Sequence, residues 1–252
     1  MKNIDVSNLE VFQDKQVCSS YKAEHQLQAA EEVILQLLKL KLKPACKILD
    51  VGVGTGRTTP HLMKLTENYI GIDYSAQMIK YAQVNYPNVD FRLGDVRHLV
   101  EFHEEEFDLV FFSFNGLDYI DHADRLLAIH EIKRVLKPGG HFAFSSHNRN
   151  YEYFDKFKMR YSGEPIPFSK QLLRSAFNRI KNFSRQIYEN EYAIITDPGH
   201  YYSLLTYYIS VDQQKKQLVR AGYLDDIRIF DMNGNQTDSA LSPWLYYLAS
   251  KP

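Results

Sequence analysis

The chain has 252 residues, with 30 Lys and Arg against 31 Asp and Glu, a formal net charge of −1. That length allows a buried core in one large or two small domains, and the near balance of charge excludes a global field toward nucleic acid or an anionic membrane, so any such attraction must be local. The longest uncharged apolar-leaning stretch, Pro198 to Val211, is too short and too rich in tyrosine to span a bilayer, and no basic start with an apolar h-region marks a signal peptide, so a cytoplasmic protein is expected.

From Ala23 to Lys43, apolar residues at helical spacing (Leu27, Ala30, Val33, Ile34, Leu37, Leu38) among Glu and Lys predict an amphipathic helix ended by Pro44. Short apolar runs follow at Cys46 to Val51, Tyr69 to Asp73, Val89 to Leu93, Phe107 to Ser113 and His141 to Ser146. Helical stretches lie between them: one near Thr58 or Thr59, one capped by Ser75 and stopped by Pro87, and one from Asp121 or Asp124 to the Lys137-Pro138-Gly139-Gly140 break. Strands and helices alternating at this interval predict an α/β fold with a mostly parallel sheet covered on both faces. After Ser210 the pattern resumes with a helix at Val211 to Ala221, a Gly222 C-cap, a strand at Asp226 to Phe230, an Asn233-Gly234 turn and a last strand at Trp244 to Ala249.

Four segments follow: an N-terminal helical cap at 1–45, a Rossmann-like core at 46–147, an insertion at 148–210 covering the substrate, and a completion of the core sheet at 211–252. Within the insertion, Glu189 to Thr196 and Tyr201 to Ser210 read as strands joined at Asp197-Pro198-Gly199, a hairpin laid over the site as a lid. From Arg149 to Arg185 nine basic residues face three acidic ones, interleaved with aromatics. One reading is a patch for an anionic acceptor with a ring to stack; the plainer one is a solvated helical face with its aromatics in the core.

The strongest local signal is ILDVGVGTGR, Ile48 to Arg57. Asp50 ends a strand, and Gly52, Gly54 and Gly56 follow at alternate positions before a helix. Glycine is required where the chain reverses sharply and where bare backbone must meet a ligand. A dinucleotide site wants glycine at the sixth position, where this chain has Arg57, and a P-loop wants a Gly-Lys-Ser or Gly-Lys-Thr ending that is absent. Cys18 and Cys46 lack a metal or redox spacing, and the histidines form no helical pair, so no metal site is expected.

At this point the chain resembles the class I S-adenosylmethionine-dependent methyltransferases, and further segments fall in register: GIDYSAQMIKYA from Gly71, FRLGDVRHL from Phe91, FDLVFFSFNGLDYI from Phe107, EIKRVLKPGGHFAFSSHN from Glu131 and VDQQKKQLVRAGY from Val211. The resemblance implies a seven-stranded Rossmann-like sheet with the inserted lid between strands five and six, and S-adenosylmethionine as cofactor. It implies that Asp50, Gly52, Gly54 and Gly56 form the glycine turn, that Asp73 takes both ribose hydroxyls, and that Asp95 and Val96 meet the adenine. Tyr74, Met78, Gly94, Ser113 and Asn115 complete the expected contacts. Arg57 either pairs with the cofactor carboxylate or faces water in the first turn. Taken without the glycine motif, Asp73 reads better as a helix-capping residue before Tyr74 and Ser75, and Asp95 can cap a turn with Gly94; in sequence order with the glycine motif each reads as a ligand contact.

Methyl transfer from a sulfonium is an in-line displacement in which the protein aligns the acceptor and excludes water, with a base needed only for a proton-bearing acceptor. Candidate bases, in order, are His147, His200 and Tyr119. The expected partner is a small metabolite accepting methyl on oxygen or nitrogen. The insertion and the SFNGLDYI and SSHNRN strings are also similar to bacterial methyltransferases of sugar or cell-surface polysaccharide pathways. Competing readings are a non-catalytic cofactor-binding or regulatory module, a nicotinamide-dependent oxidoreductase and, from the local basic excess, an RNA methyltransferase; nucleic acid is disfavoured by the absence of overall basicity.

Overall fold

The structure is a computed structural model that describes residues 4–21, 26–156, 167–238 and 242–252. Ala23, Phe157, Lys158, Arg160, Tyr161 and Glu164, which enter the sequence reading, lie outside the described residues. Helices α1 (Ile4–Phe12) and α2 (Lys15–Ser20) precede α3 (Ala29–Lys39), and the alternating core runs β1 (Lys47–Val51), α4 (Thr59–Leu62), β2 (Asn68–Asp73), α5 (Ala76–Asn85), β3 (Asp90–Leu93), β4 (Phe107–Phe112), α6 (His122–Val135) and β5 (Leu136–Asn148). The insertion supplies α7 (Phe168–Asn182), β6 (Ile187–Tyr188), β7 (Tyr192–Thr196) and β8 (Leu205–Ile209), and the chain closes with α8 (Val211–Arg220), β9 (Arg228–Phe230) and β10 (Trp244–Ser250).

Strands β3, β2, β1, β4 and β5 pair in parallel in that order, and β10 joins β5 antiparallel before β9 adds the far edge. The seven-stranded Rossmann-like sheet expected from the sequence is therefore present. Side chains alternate across it as the two-residue strand period requires. Leu49, Val51, Val110 and Phe112 join α6 and α8 on one face, whereas Ile48, Leu109 and Phe111 meet α3 and α5 on the other. Strand order reverses between β1 and β4, which opens a crevice beyond their carboxyl ends.

The caps are those the sequence encodes. Ser75 accepts the N–H of Met78, Asp121 that of Asp124 and Ser210 that of Gln213, while Gly222 turns after α8 at φ +87°. Two boundaries differ. Helix α3 starts at Ala29, because Gln28 and Glu31 form a reciprocal capping box there. Helix α6 stops at Val135, since the Lys137-Pro138-Gly139-Gly140 segment is already the start of β5, with Gly139 at φ +73°.

The insertion hairpin also differs from expectation. Instead of lying free over the crevice, β8 pairs in parallel with the last residues of β5 (His147 with Tyr208, Asn148 with Ile209) and carries β7 and β6 as a continuation of the sheet. Strand β5 outruns β4, whose last partner is Phe144, and β8 satisfies the main-chain groups left beyond it. Among the described residues no helix is long and apolar enough to cross a membrane.

Gly52 sits at φ +62° with the Phe112 ring 2.6 Å from where a Cβ would be. Gly52→Ala is expected to destabilise the fold by about 2 kcal/mol or more, combining left-handed strain with overpacking. Urea denaturation checks this; an unchanged midpoint would show that the turn relaxes freely.

Candidate active site

Beyond the carboxyl ends of β1, β2 and β4 lies a solvent-open cavity whose space free of protein atoms, counting the solvent in its mouth, is about 1020 Å³. Its floor is the turn from Val51 to Thr55, its sides are Asp73, Tyr74, Met78, Gly94, Asp95 and Val96, and Phe12, Tyr21, Phe114 and Tyr119 add aromatic walls. Gly54, at φ +57°, has open space where a Cβ would project, so the main chain itself is the wall there.

Carboxylates set the shape of this turn. Asp73 Oδ2 accepts the N–H of Gly54 at 2.9 Å and Oδ1 that of Ser75 at 2.8 Å. Burial pushes its pKa up to about 6 against those two donors. Asp50 accepts from the hydroxyls of Thr58 (2.6 Å) and Tyr69 (2.8 Å), and burial raises its pKa to about 7 despite both. Asp50 lies behind the turn and is not in the cavity wall, so it braces the loop in place of the cofactor contact expected of it.

Asp95 lines the cavity with its carboxylate engaged by Arg97 at 2.6 Å, and Arg97 also reaches Asp5 at 2.7 Å and Asp124. Burial pulls the Asp95 pKa upward, but the Arg97 hydrogen bonds and charge outweigh it and hold the group below the usual range. The Tyr74 hydroxyl, at the same wall, is buried with no hydrogen-bond partner, which marks a polar position for a bound group.

Arg57 lines the cavity, and its charge is already engaged by a neighbouring helix. Its guanidinium is nearly buried and forked onto Glu31, with both nitrogens at 2.7 Å, and it also donates to Ser113 Oγ at 2.6 Å. The charge is thus neutralised by α3, which ties the N-terminal cap to the floor of the cavity. Ser113 lines the cavity, whereas the Asn115 side chain turns away toward β5. Asn115 stands at φ +58°, its N–H donates to Ser145 Oγ at 2.8 Å, and its Oδ1 is buried without a partner.

That turn leads to a second arrangement at the end of β5. His147 Nδ1 lies 2.7 Å from Asp118 Oδ2, which also accepts the His147 N–H at 2.7 Å. The other Asp118 oxygen accepts from Arg125 (2.6 Å) and Ser146 (2.7 Å). Asp118 and Arg125 are fully buried; Ser146 Oγ, Gln214, Gln217 and the Leu117 carbonyl take up the remaining guanidinium donors, and the Tyr207 ring lies 4.5 Å beneath them. With the carboxylate at Nδ1, the neutral imidazole keeps its proton there and presents an unprotonated Nε2. Nε2 is 3.4 Å from Asn115 Nδ2 and 3.8 Å from Asp197 Oδ2.

Asn115 is the link to the cavity, since Phe114 and Gly116 on either side of it line the wall. Tyr119 also lines the cavity, and burial raises its phenol well above the ordinary value, so it stays protonated as a donor. His200 stands apart from His147, on a left-handed turn with Nε2 2.9 Å from the Tyr21 hydroxyl. Sequence reasoning missed Phe12, Tyr21, Glu31 and Arg125, because only the fold carries α1, α2, α3 and α6 to this edge. Among the described residues no group of three or more His, Cys, Asp or Glu side chains is placed to hold a metal ion.

Residues 48–140 match the family described as a methyltransferase domain. A demethylmenaquinone methyltransferase of Staphylococcus carnosus is 33% identical over 157 residues, 55% of this chain and 64% of that protein. A ubiquinone biosynthesis O-methyltransferase of Hydrogenovibrio crunogenus is 32% identical over 112 residues, 42% of this chain and 45% of its own. The chain spans between 34% and 64% of the length of the curated relatives it matches. In shape it is similar to an S-adenosylmethionine-dependent methyltransferase of Clostridium acetobutylicum (TM-score 0.64, 16% identity, 90% of this chain and 92% of the other). It is similar too to a Burkholderia thailandensis 1,6-didemethyltoxoflavin-N1-methyltransferase solved with S-adenosylhomocysteine (TM-score 0.60, 15% identity, 98% and 87%). Residues 48–140 thus match a methyltransferase domain, and the chain as a whole has the fold of the S-adenosylmethionine-dependent methyltransferases.

The raised pKa values of Asp50 and Asp73 give a pH dependence. Both carboxyls hold their protons more tightly folded than unfolded, so their contribution to stability declines as pH rises from about 4 through about 6 and about 7. Asp50→Asn is expected to flatten the fall in cofactor-free stability between pH 5 and 8 relative to the native chain, measured by urea denaturation across that range. Parallel curves for the two proteins would mean that Asp50 does not titrate there.

Proposed function

We propose that the chain transfers the methyl group of S-adenosylmethionine to an oxygen or nitrogen of a small acceptor. The observation that carries this is the union of one bare-backbone cavity, bounded by Asp73 and Asp95, with a carboxylate-held histidine one residue behind its wall. The residues fit the cofactor: Gly54 leaves room where a side chain would project, Asp73 presents a carboxylate at a strand end for a vicinal diol, and Asp95 with Val96 faces the place for a flat base. When bound, the cofactor supplies a sulfonium-activated methyl group.

The chain's own residues do the rest. The aromatic walls from Phe12, Tyr21, Phe114 and Tyr119 exclude water and press a small ring into place. His147 Nε2 takes the proton that a hydroxyl or ammonium acceptor must lose, and Asp118, neutralised from behind by Arg125, orients the ring and stabilises the imidazolium that forms. Asn115, on its left-handed turn, sets its Nδ2 3.4 Å from Nε2 and joins the base to the cavity wall. His200 and Tyr119 then act in binding, His200 through Tyr21 and Tyr119 as a cavity wall.

Two finer expectations fare differently. Three of the described basic residues of the insertion are engaged around the insertion itself, Arg149 with the carbonyls of Glu189 and Asn190, Arg174 over Tyr201 and Arg179 beside Asp155, while Arg185 reaches Ser7 of α1. None of them lines the cavity, so an anionic acceptor draws no support from them. A sugar acceptor rests on the loop strings alone, whereas the relatives named above bear names of quinone biosynthesis; the aromatic walls accommodate a ring of either kind.

Asp73→Ala is expected to weaken S-adenosylhomocysteine binding by at least about tenfold, through loss of charge-assisted hydrogen bonds. Isothermal calorimetry measures this, and equal affinities would show that Asp73 is misassigned. In methyl-transfer assays over a panel of small hydroxyl and amine acceptors, His147→Gln should lower kcat by about 10² to 10⁴ without changing the cofactor Kd. Native turnover in the variant would remove the histidine from the chemistry, and a matching loss of cofactor affinity would make it structural.

A further inference from the structure

Helix α7 is inside out. Gln171, Ser175 and Asn182 are buried, whereas Leu173, Phe177, Ile180 and Phe183 are 70%, 67%, 77% and 72% exposed. At 100° per residue the first set shares one side of the helix and the second the opposite side. The polar side docks through amides: Asn178 donates to the Tyr201 carbonyl at 2.9 Å, and Asn182 reaches those of Tyr202 and Ser203 at 3.4 Å. Large apolar residues that a core would normally bury are therefore concentrated on one outward strip, contrary to the expectation that the aromatics of this segment face inward.

The charge on the helix says what suits this strip. Lys170, Arg174, Arg179 and Lys181 stand against no acidic residue between Phe168 and Asn182, an excess of four in a chain whose total is −1. Lys170 and Lys181 fall along one flank of the apolar strip by helical spacing, beside Arg174, whose guanidinium lies over Tyr201; there long cationic side chains reach an anionic surface while the apolar residues enter beneath it. A second copy of the chain suits it less. A fifteen-residue strip is about 22 Å long and about 10 Å wide, far short of the roughly 800 Å² per partner in a stable dimer, and it would set like charges against each other.

We propose that α7 is an interfacial anchor, inserting Leu173, Phe177, Ile180 and Phe183 into the surface of an anionic lipid bilayer with its basic flank on the headgroups. The helix packs against the turn that holds His200, which bonds Tyr21 at the cavity wall, so docking would bring the mouth of the site close to the lipid. The anchor stands on its own observations and does not depend on the acceptor or on His147.

The test is sedimentation of the full chain with sucrose-loaded vesicles, either pure phosphatidylcholine or equal parts phosphatidylcholine and phosphatidylglycerol, with S-adenosylhomocysteine affinity measured in parallel to confirm folding. Binding to the anionic vesicles, weaker binding to the neutral ones, and loss of binding in the L173Q/F177Q/I180Q variant are expected. Lys170→Gln and Lys181→Gln should each reduce partitioning by about fivefold, the worth of one basic residue at such a surface. No sedimentation with either vesicle, or full sedimentation of the triple variant, would overturn the proposal. So would analytical ultracentrifugation showing a dimer that the triple variant dissolves, since a second copy would then own the strip.

Discussion

A loop that offers bare main chain to a ligand has no side chains of its own with which to hold its shape. Here two buried carboxylates do that work from outside. Asp73 holds the N–H of Gly54 from the neighbouring strand, and Asp50 gathers Thr58 and Tyr69 behind the turn. Both are kept from water, which raises their proton affinity and makes every hydrogen bond they accept count toward keeping the turn in one form. The cavity, the glycine positions and the meeting of β1, β2 and β4 all depend on that arrangement.

Two further ionic locks extend the same logic outward. Arg57 forks onto Glu31 and fixes α3 against the floor of the cavity, while Arg125 and Asp118 pair out of contact with solvent behind His147. Breaking one partner of such a pair leaves an uncompensated buried charge, at a cost of about 3 to 5 kcal/mol. The second lock has a direction: one Asp118 oxygen serves Arg125 and Ser146, the other serves His147. The histidine ring is thereby oriented with one nitrogen toward the Asn115 side of the site.

Much of the fold was legible because its signals are local. Alternation of Ile48 and Leu49, or Leu109 and Val110, between two helical layers is a two-residue period, and Ser75, Asp121 and Ser210 are caps that act within one turn. What could not be read depended on residues far apart in the chain. The pairing of Arg57 with Glu31 could not be read, because Glu31 lies 26 residues earlier on another helix. Asp50 has the position of a cofactor contact, yet Tyr69, 19 residues on, claims it. The insertion misled for a different reason: its amphipathic pattern is real, but periodicity names two faces without saying which is inward.

The central claim is that the glycine turn and Asp73 form an adenosyl site. A crystal structure grown with S-adenosylhomocysteine tests it most directly. The account predicts the ribose hydroxyls on the Asp73 carboxylate, the adenine beside Asp95 and Val96, and the ligand backbone against Gly54. Density placed elsewhere on the molecule, or a ligand in this cavity whose ribose leaves Asp73 untouched, would contradict it.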